Sequence, residues 1–73
     1  MAKKLTQKER IGEALKGLSP DVTNEDRMEY KQKYGGTSAL ISIYLSGKVH
    51  DADRGVKMLR FFRTRIQKRE TVI

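Results

Sequence analysis

Few side chains in this sequence are suited to catalysis or to metal binding. His50 is the only histidine, and although two aspartates stand close to it in the sequence, there is no cysteine and no second histidine to complete a metal site. Glu25, Asp26 and Glu29 have the spacing of a solvated helix face, which does not bring two carboxylates together as an acid and a base. We therefore predict no catalytic residue, no metal site and no cofactor, so that the protein is not an enzyme.

A second set of side chains could contact base pairs if the helix that carries them faces DNA. Thr37, Ser38 and Ser42 carry short hydroxyls that can bond to phosphate or to either kind of base edge. Ala39 and Ile43 match the methyl group of thymine. The strong bidentate readers of bases, Arg, Asn and Gln, are missing from this set, so the expected discrimination among DNA sequences is modest.

Glycines and capping residues define the short helix that would carry this set. The pair Gly35-Gly36 should end one helix, and Thr37 is the expected N-cap of the next, which should run from about 38 to 45. Gly47 should stop it, because glycine adopts left-handed backbone at little cost. Residues at spacings of three and four form its predicted buried face: Leu40, Ile41, Tyr44 and Leu45.

Two helices are predicted before this segment. Thr6 and Glu9 have the spacing of a capping box, in which each side chain bonds the backbone amide of the other residue, so a helix should begin after Thr6. Ser19-Pro20 should end it, because the residue before proline avoids the helical conformation. Thr23 or Asn24 can cap the next helix, which should end at the glycine pair.

A long amphipathic helix is predicted after this segment, from about 52 to 68. Its apolar stripe comprises Val56, Leu59, Phe62 and Ile66, widened by Met58 and Phe61. Its other face is basic: Lys57, Arg60, Arg63, Arg65, Lys68 and Arg69.

The whole chain is predicted to form a single small all-α domain of four helices, with a basic arm at 1–5, the domain at 6–69 and a tail at 70–73. Two helices joined by a glycine-containing turn make a helix-turn-helix unit within it. The longest apolar run, 39–45, is far too short to span a bilayer, and the start of the chain has no apolar stretch of the signal-peptide kind. We expect no membrane partner and a cytoplasmic, nucleoid-associated protein.

The charge of the chain indicates a polyanionic partner. Sixteen Lys and Arg against nine Asp and Glu give a formal net charge of +7 in 73 residues, with a pI near 10.0. For so small a chain, nucleic acid is the usual partner of this kind. The alternatives are a charged surface that serves only solubility and a basic protein that acts close to the ribosome, and charge alone does not decide between them.

The segment from Leu40 to Lys48, Leu-Ile-Ser-Ile-Tyr-Leu-Ser-Gly-Lys, resembles the second half of the helix-turn-helix in the phage repressor and Cro-like family. In that family the recognition helix commonly ends in a string similar to Tyr-Leu-Ser-Gly-Lys. The resemblance covers about residues 25–48 and implies a lambda-repressor-like fold. It implies that Ile41 and Tyr44 are inward anchors and that Leu45 packs against the following helix. It also implies that five residues contact bases and phosphates: Thr37, Ser38, Ala39, Ser42 and Ile43.

Two positions differ from the family pattern. Lys31 stands where the family usually has a small residue, so its side chain is expected to extend outward along its methylenes. The resemblance places Gly35 as the glycine of the turn, and Gly36 then stands where an aliphatic residue is usual. The turn is therefore expected to be looser or shifted by one residue.

These observations predict a sequence-reading protein that binds double-stranded DNA, a small transcriptional regulator of phage or mobile-element type that inserts helix 38–45 into the major groove. Binding strength would depend on cations near the motif and in the arm, although each of them singly is as well explained as a solvated surface charge. The predicted phosphate contacts are Lys3, Lys4, Arg27, Lys31, Lys33 and Lys48.

Two alternatives remain open at this point. The apolar excess of the last helix, at Met58, Phe61 and Phe62, could form a homodimer contact or hold another protein, which would make the chain a helical interaction module. The basic face of the same helix could instead bind RNA or DNA without sequence preference. Salt dependence separates binding to nucleic acid from an apolar protein contact.

Overall fold

The structure, a computed structural model, describes residues 4–71, and four α-helices make up most of this range. Helix α1 spans Gln7–Leu18, α2 spans Asn24–Tyr34, α3 spans Ser38–Leu45 and α4 spans Ala52–Thr71. One turn of 3-10 helix, Ser19–Asp21, connects α1 to α2. Because the described residues include no β-strand, the predicted all-α class with four helices is confirmed.

Reciprocal side-chain caps begin the first two helices. Thr6 Oγ1 accepts a hydrogen bond from the backbone N–H of Glu9, and the Glu9 carboxylate accepts one from the N–H of Thr6. Thr23 and Asp26 form the same pair of bonds at the start of α2. The capping box of α1 is thus confirmed, and of the two candidates for α2 the cap is Thr23 rather than Asn24.

The connection between α2 and α3 consists of Gly35, Gly36 and Thr37. The φ angles of the two glycines are +78° and +97°, a region of backbone space that residues with a Cβ rarely adopt. Thr37 Oγ1 then accepts a hydrogen bond from the N–H of Leu40, which begins α3. Both the cap and the bounds predicted for α3 are confirmed.

The core lies where α1, α3 and α4 meet, with α2 packed against α3 and α4. Ile41 and Tyr44, the expected inward anchors, are fully buried, and Leu45 is nearly so. The Tyr44 hydroxyl accepts a hydrogen bond from the backbone N–H of Asp51, so its polar end has a partner. The remaining buried apolar side chains are Ile11, Leu15, Tyr30, Met58, Phe62 and Ile66.

Two predictions about the last helix are wrong. α4 continues to Thr71, so Glu70 is helical and not part of a tail. Met58 and Phe62 have no exposed surface, because the three shorter helices close around them. A dimer or protein contact through these two side chains would need them at the surface, which leaves only Phe61, itself half-buried, from the predicted contact.

Candidate nucleic-acid interface

The exposed side of α3 carries the residues for which contacts with bases were predicted. All five are exposed in the structure, and Ile43 is the most prominent apolar member, with 45% of its surface in solvent. The opposite side of the same helix is buried in the core. The helix is therefore held from one side, while the other side presents hydroxyls and one branched apolar side chain: Thr37, Ser38, Ala39, Ser42 and Ile43.

Two cations of α2 reach the hydroxyls on this side of α3. Lys31 Nζ donates a hydrogen bond to Ser38 Oγ at 3.1 Å. Arg27 Nη1 approaches Ser42 Oγ at 3.5 Å, a distance at the long limit for a hydrogen bond. The two cations are one helical turn apart on α2, as the two serines are on α3, so the pairs form two adjacent cross-helix contacts. The surface so formed alternates positive groups with hydroxyls.

The guanidinium of Arg27 is incompletely hydrogen-bonded in this arrangement. Its Nε is buried and has no hydrogen-bond partner among the described residues. A buried donor without a partner costs about 1–3 kcal/mol, so the free protein retains this guanidinium in an incompletely satisfied state. Contact with an anion would offer the guanidinium stronger bonds than its single long contact with Ser42.

The side chain of Lys31 extends outward, as predicted. It is half-buried, and its ammonium group emerges beside α3 at Ser38. The residue therefore adds a positive charge to the exposed side of α3.

Three other predicted phosphate contacts, Lys4, Lys33 and Lys48, lie at different places in the described structure. Lys48 follows α3 directly: its side chain is exposed, and its backbone N–H donates to the carbonyl oxygen of Ile43 at 3.2 Å. Lys4 is exposed ahead of α1, and Lys3 lies outside the described residues. Of Lys4 and Lys48, which the structure describes, Lys48 lies next to α3.

Lys33 lies on the other side of α2. Its Nζ is 5.5 Å from the centre of the Tyr34 ring and 5.9 Å from that of Phe61, so it faces α4 and not α3. The helical period explains the separation, since residues two apart point to nearly opposite sides of a helix. The structure thus brings Arg27 and Lys31 together beside α3 and separates Lys33 from them.

The sequence interpretation placed Asp26 on a solvated face, and this is wrong. Asp26 is fully buried, and it accepts hydrogen bonds from Arg65 Nε at 2.6 Å and from Arg69 Nη1 at 2.8 and 2.9 Å. Arg69 Nη2 also donates to the backbone carbonyl of Asp21 at 2.7 Å. Burial by itself would raise the pKa of the Asp26 carboxyl, but the hydrogen bonds from Arg65, Thr23 and Arg69 outweigh it and lower the pKa to about 2.

This ion cluster gives two arginines on the basic face of α4 a structural role. Arg65 and Arg69 are engaged by Asp26, so the two arginines help to join the end of α4 to the start of α2. Asp26 is 39 residues from Arg65 and 43 residues from Arg69 along the chain, and no local pattern in the sequence indicates such a pairing.

Comparison of the chain with protein-family models, with curated proteins and with solved structures found no match. Among residues 4–71, no three His, Asp or Glu side chains are grouped so that they could hold a metal ion. In the same range, every helix is too short or too polar to cross a membrane.

Proposed function

We propose that the protein binds double-stranded DNA by inserting α3 into the major groove, and that it is a small transcriptional regulator of phage or mobile-element type. In this proposal α2, the three-residue turn and α3 form a helix-turn-helix of the phage repressor and Cro-like kind. The observation that carries the proposal is the exposed side of α3, where Arg27 contacts Ser42 and Lys31 donates a hydrogen bond to Ser38.

The chemistry of this surface suits a duplex. The major groove admits an α-helix, and each base pair presents donors, acceptors or a methyl group there. Ser38 and Ser42 can bond to base edges or phosphates, and Ile43 can pack against a thymine methyl. Arg27 and Lys31 lie at the edge of α3, where phosphates would flank an inserted helix.

The packing behind α3 supports the same proposal. Burial of Ile41, Tyr44 and Leu45 holds this helix of eight residues in one orientation on the core. A connection of three residues that contains glycine is typical of the unit. Because the exposed side lacks Arg, Asn and Gln, we infer modest sequence discrimination and an affinity that depends strongly on phosphate contacts and on salt.

Titration with a pool of random-sequence duplexes of about 20 base pairs, two helical turns, tests the proposal. The backbone amide signals of Ser38, Ser42 and Lys48 should shift on addition of the duplex at low salt. Unmoved signals at α3, with shifts confined to α4, would overturn insertion of α3.

A pair of variants with equal charge change sharpens the test. Ser42→Glu places an acid in the middle of the exposed side of α3 and should weaken duplex binding by roughly tenfold or more, because phosphate repels the carboxylate. Gln7→Glu makes the same change in net charge on α1, where it should have little effect. Equal losses in the two variants would show that only net charge matters and would contradict the proposal.

A further inference from the structure

A groove between α2 and α4, on the side of α2 away from α3, combines positive charge with aromatic rings. Its volume is about 500 Å³. Among the described residues that line it, a single acid, Glu29, stands with five cations: Lys33, Lys57, Arg60, Arg65 and Lys68.

Tyr34 and Phe61 form the aromatic floor of this groove. Tyr34 is 41% exposed, so part of its ring is accessible to a ligand. The two rings meet edge to face, with their centres 5.9 Å apart and their planes at 87°. Tyr30, buried beneath them, lies 5.0 Å from the Tyr34 ring and 5.7 Å from the Phe61 ring. The two rings are therefore packed against the core on one side, while part of the Tyr34 ring remains exposed.

Cations border these rings directly. Lys33 Nζ lies within 6 Å of the centres of both rings, and Arg65 Cζ lies 5.8 Å from the centre of Phe61. The bond from Arg65 Nε to Asp26 limits the positions that its guanidinium can take. Positive charge and ring faces are thus held next to each other.

We propose that this groove binds single-stranded nucleic acid, with a base stacked on Tyr34 and the neighbouring phosphates on Lys33, Lys57 and Arg60. Aromatic rings in a positively charged groove are the general means of binding single strands, since every base has a face that stacks. An acidic peptide would satisfy the cations but would leave the exposed ring without a matching partner.

A duplex fits this groove less well than a single strand. The bases of a duplex are stacked on one another, so their faces cannot reach a ring at the floor of a groove. Lys57 and Lys68 are eleven residues apart on α4, about 16 Å at 1.5 Å per residue, so the cations follow the length of a short strand. This inference stands apart from duplex binding by α3, because the two surfaces use different cations.

The test compares two oligomers of equal charge. A fluorescent oligothymidylate of about ten nucleotides should bind roughly tenfold more tightly than an abasic oligomer of the same length, because only the former can stack. Equal affinity for the two would overturn the proposal. A polyglutamate peptide that binds as tightly as oligothymidylate would also overturn it and would indicate an acidic protein partner.

Variants of Tyr34 separate stacking from packing. Tyr34→Phe keeps the aromatic face and should retain binding, whereas Tyr34→Leu should lose the roughly tenfold preference for bases. Met28→Leu on the same helix is the control, since Met28 is 58% exposed and does not line the groove. If Tyr34→Leu keeps the preference while remaining folded by circular dichroism, the base does not stack there.

Two further variants keep the test valid if changes at Tyr34 disturb the fold. Lys57→Gln and Arg60→Gln alter exposed side chains. Each should reduce the slope of log affinity against log salt concentration for oligothymidylate binding by about one, because one phosphate contact is lost. Unchanged salt dependence in both would overturn the phosphate contacts. Ser42→Glu, which tests α3, should leave oligothymidylate binding intact, so failure of one proposal is distinguishable from failure of the other.

Discussion

Lys31 Nζ donates to Ser38 Oγ at 3.1 Å, and this contact attaches one cation of α2 to the exposed side of α3. Lys33, two residues further along, lies instead over the rings of Tyr34 and Phe61. One helix therefore supplies cations to two separate surfaces. Because the two lysines lie on different surfaces of the same helix, a variant of one serves as a control for a variant of the other.

Substitution of Lys31 should weaken duplex binding selectively. With Lys31→Gln we expect a lower affinity for duplex DNA and a salt slope reduced by about one, because a phosphate contact is lost. Anisotropy titrations between about 50 and 200 mM salt measure both quantities. Lys33→Gln removes the same charge from the same helix and should leave the duplex slope unchanged. Identical behaviour of the two variants would argue against an interface centred on α3.

Substitution of Asp26 should destabilise the fold while leaving the exposed side chains of α3 unchanged. Asp26→Asn keeps the shape of the side chain but removes the charge that Arg65 and Arg69 share, so we expect a loss of about 1.5–3 kcal/mol in the free energy of unfolding. Urea unfolding near neutral pH measures it. Glu25→Gln changes an exposed acid in the same helical turn and should stay within about 0.5 kcal/mol. If Asp26→Asn leaves the free energy of unfolding unchanged, the ion cluster contributes no net stability.

Acid should weaken the folded state through the same carboxyl. The pKa of Asp26 is about 2 in the folded protein against an ordinary 3.8, so near these values the unfolded chain binds more protons than the folded one. The contribution of Asp26 is complete above the ordinary value and is lost as the pH falls through 3.8 towards 2. Urea midpoints over this interval should fall less steeply in Asp26→Asn than in the parent. If the urea midpoints of the two proteins fall in parallel as the pH decreases, Asp26 is not the carboxyl responsible for the loss of stability.

Close contact between α1 and the turn that follows α3 makes Gly12 sensitive to substitution. A Cβ at Gly12 would overlap the backbone carbonyl oxygen of Gly47, which cannot move aside as a flexible side chain would. Gly12→Ala should therefore cost at least about 1–3 kcal/mol of stability. Gly17→Ala in the same helix meets nothing within 4 Å and should stabilise by about 0.5–1 kcal/mol. Thermal unfolding of both variants checks the opposite signs.

The Tyr44 hydroxyl should matter for stability and not for DNA contact. Tyr44→Phe leaves the backbone N–H of Asp51 without its partner, so we expect a loss of about 1 kcal/mol in unfolding free energy. Duplex affinity at a temperature where the variant is folded should equal that of the parent, because Tyr44 is fully buried. A large loss of affinity without a loss of stability would mean that Tyr44 is a contact residue and not an anchor.

Most helix ends could be predicted from the sequence because their causes are local. Thr6 pairs with Glu9, Thr37 bonds the amide of Leu40, and the glycine pair takes backbone angles that few other residues adopt, all within three residues along the chain. The exposed side of α3 followed in the same way, since helical spacing alone separates it from the buried anchors. The end of α4 was missed, because Arg69 of α4 bonds Asp26 of α2, a residue 43 positions away that no local pattern indicates.

The sequence by itself determined which segments are helical, and which residues of α3 face outward, through contacts between near neighbours in the chain. Only the tertiary structure decided the pairing of Asp26 with Arg65 and Arg69, and the closure of the core over Met58 and Phe62. These outcomes depend on how α2 and α4 lie against each other. That arrangement is set by the combined packing of side chains far apart in the chain, and a local spacing rule contains no information about it.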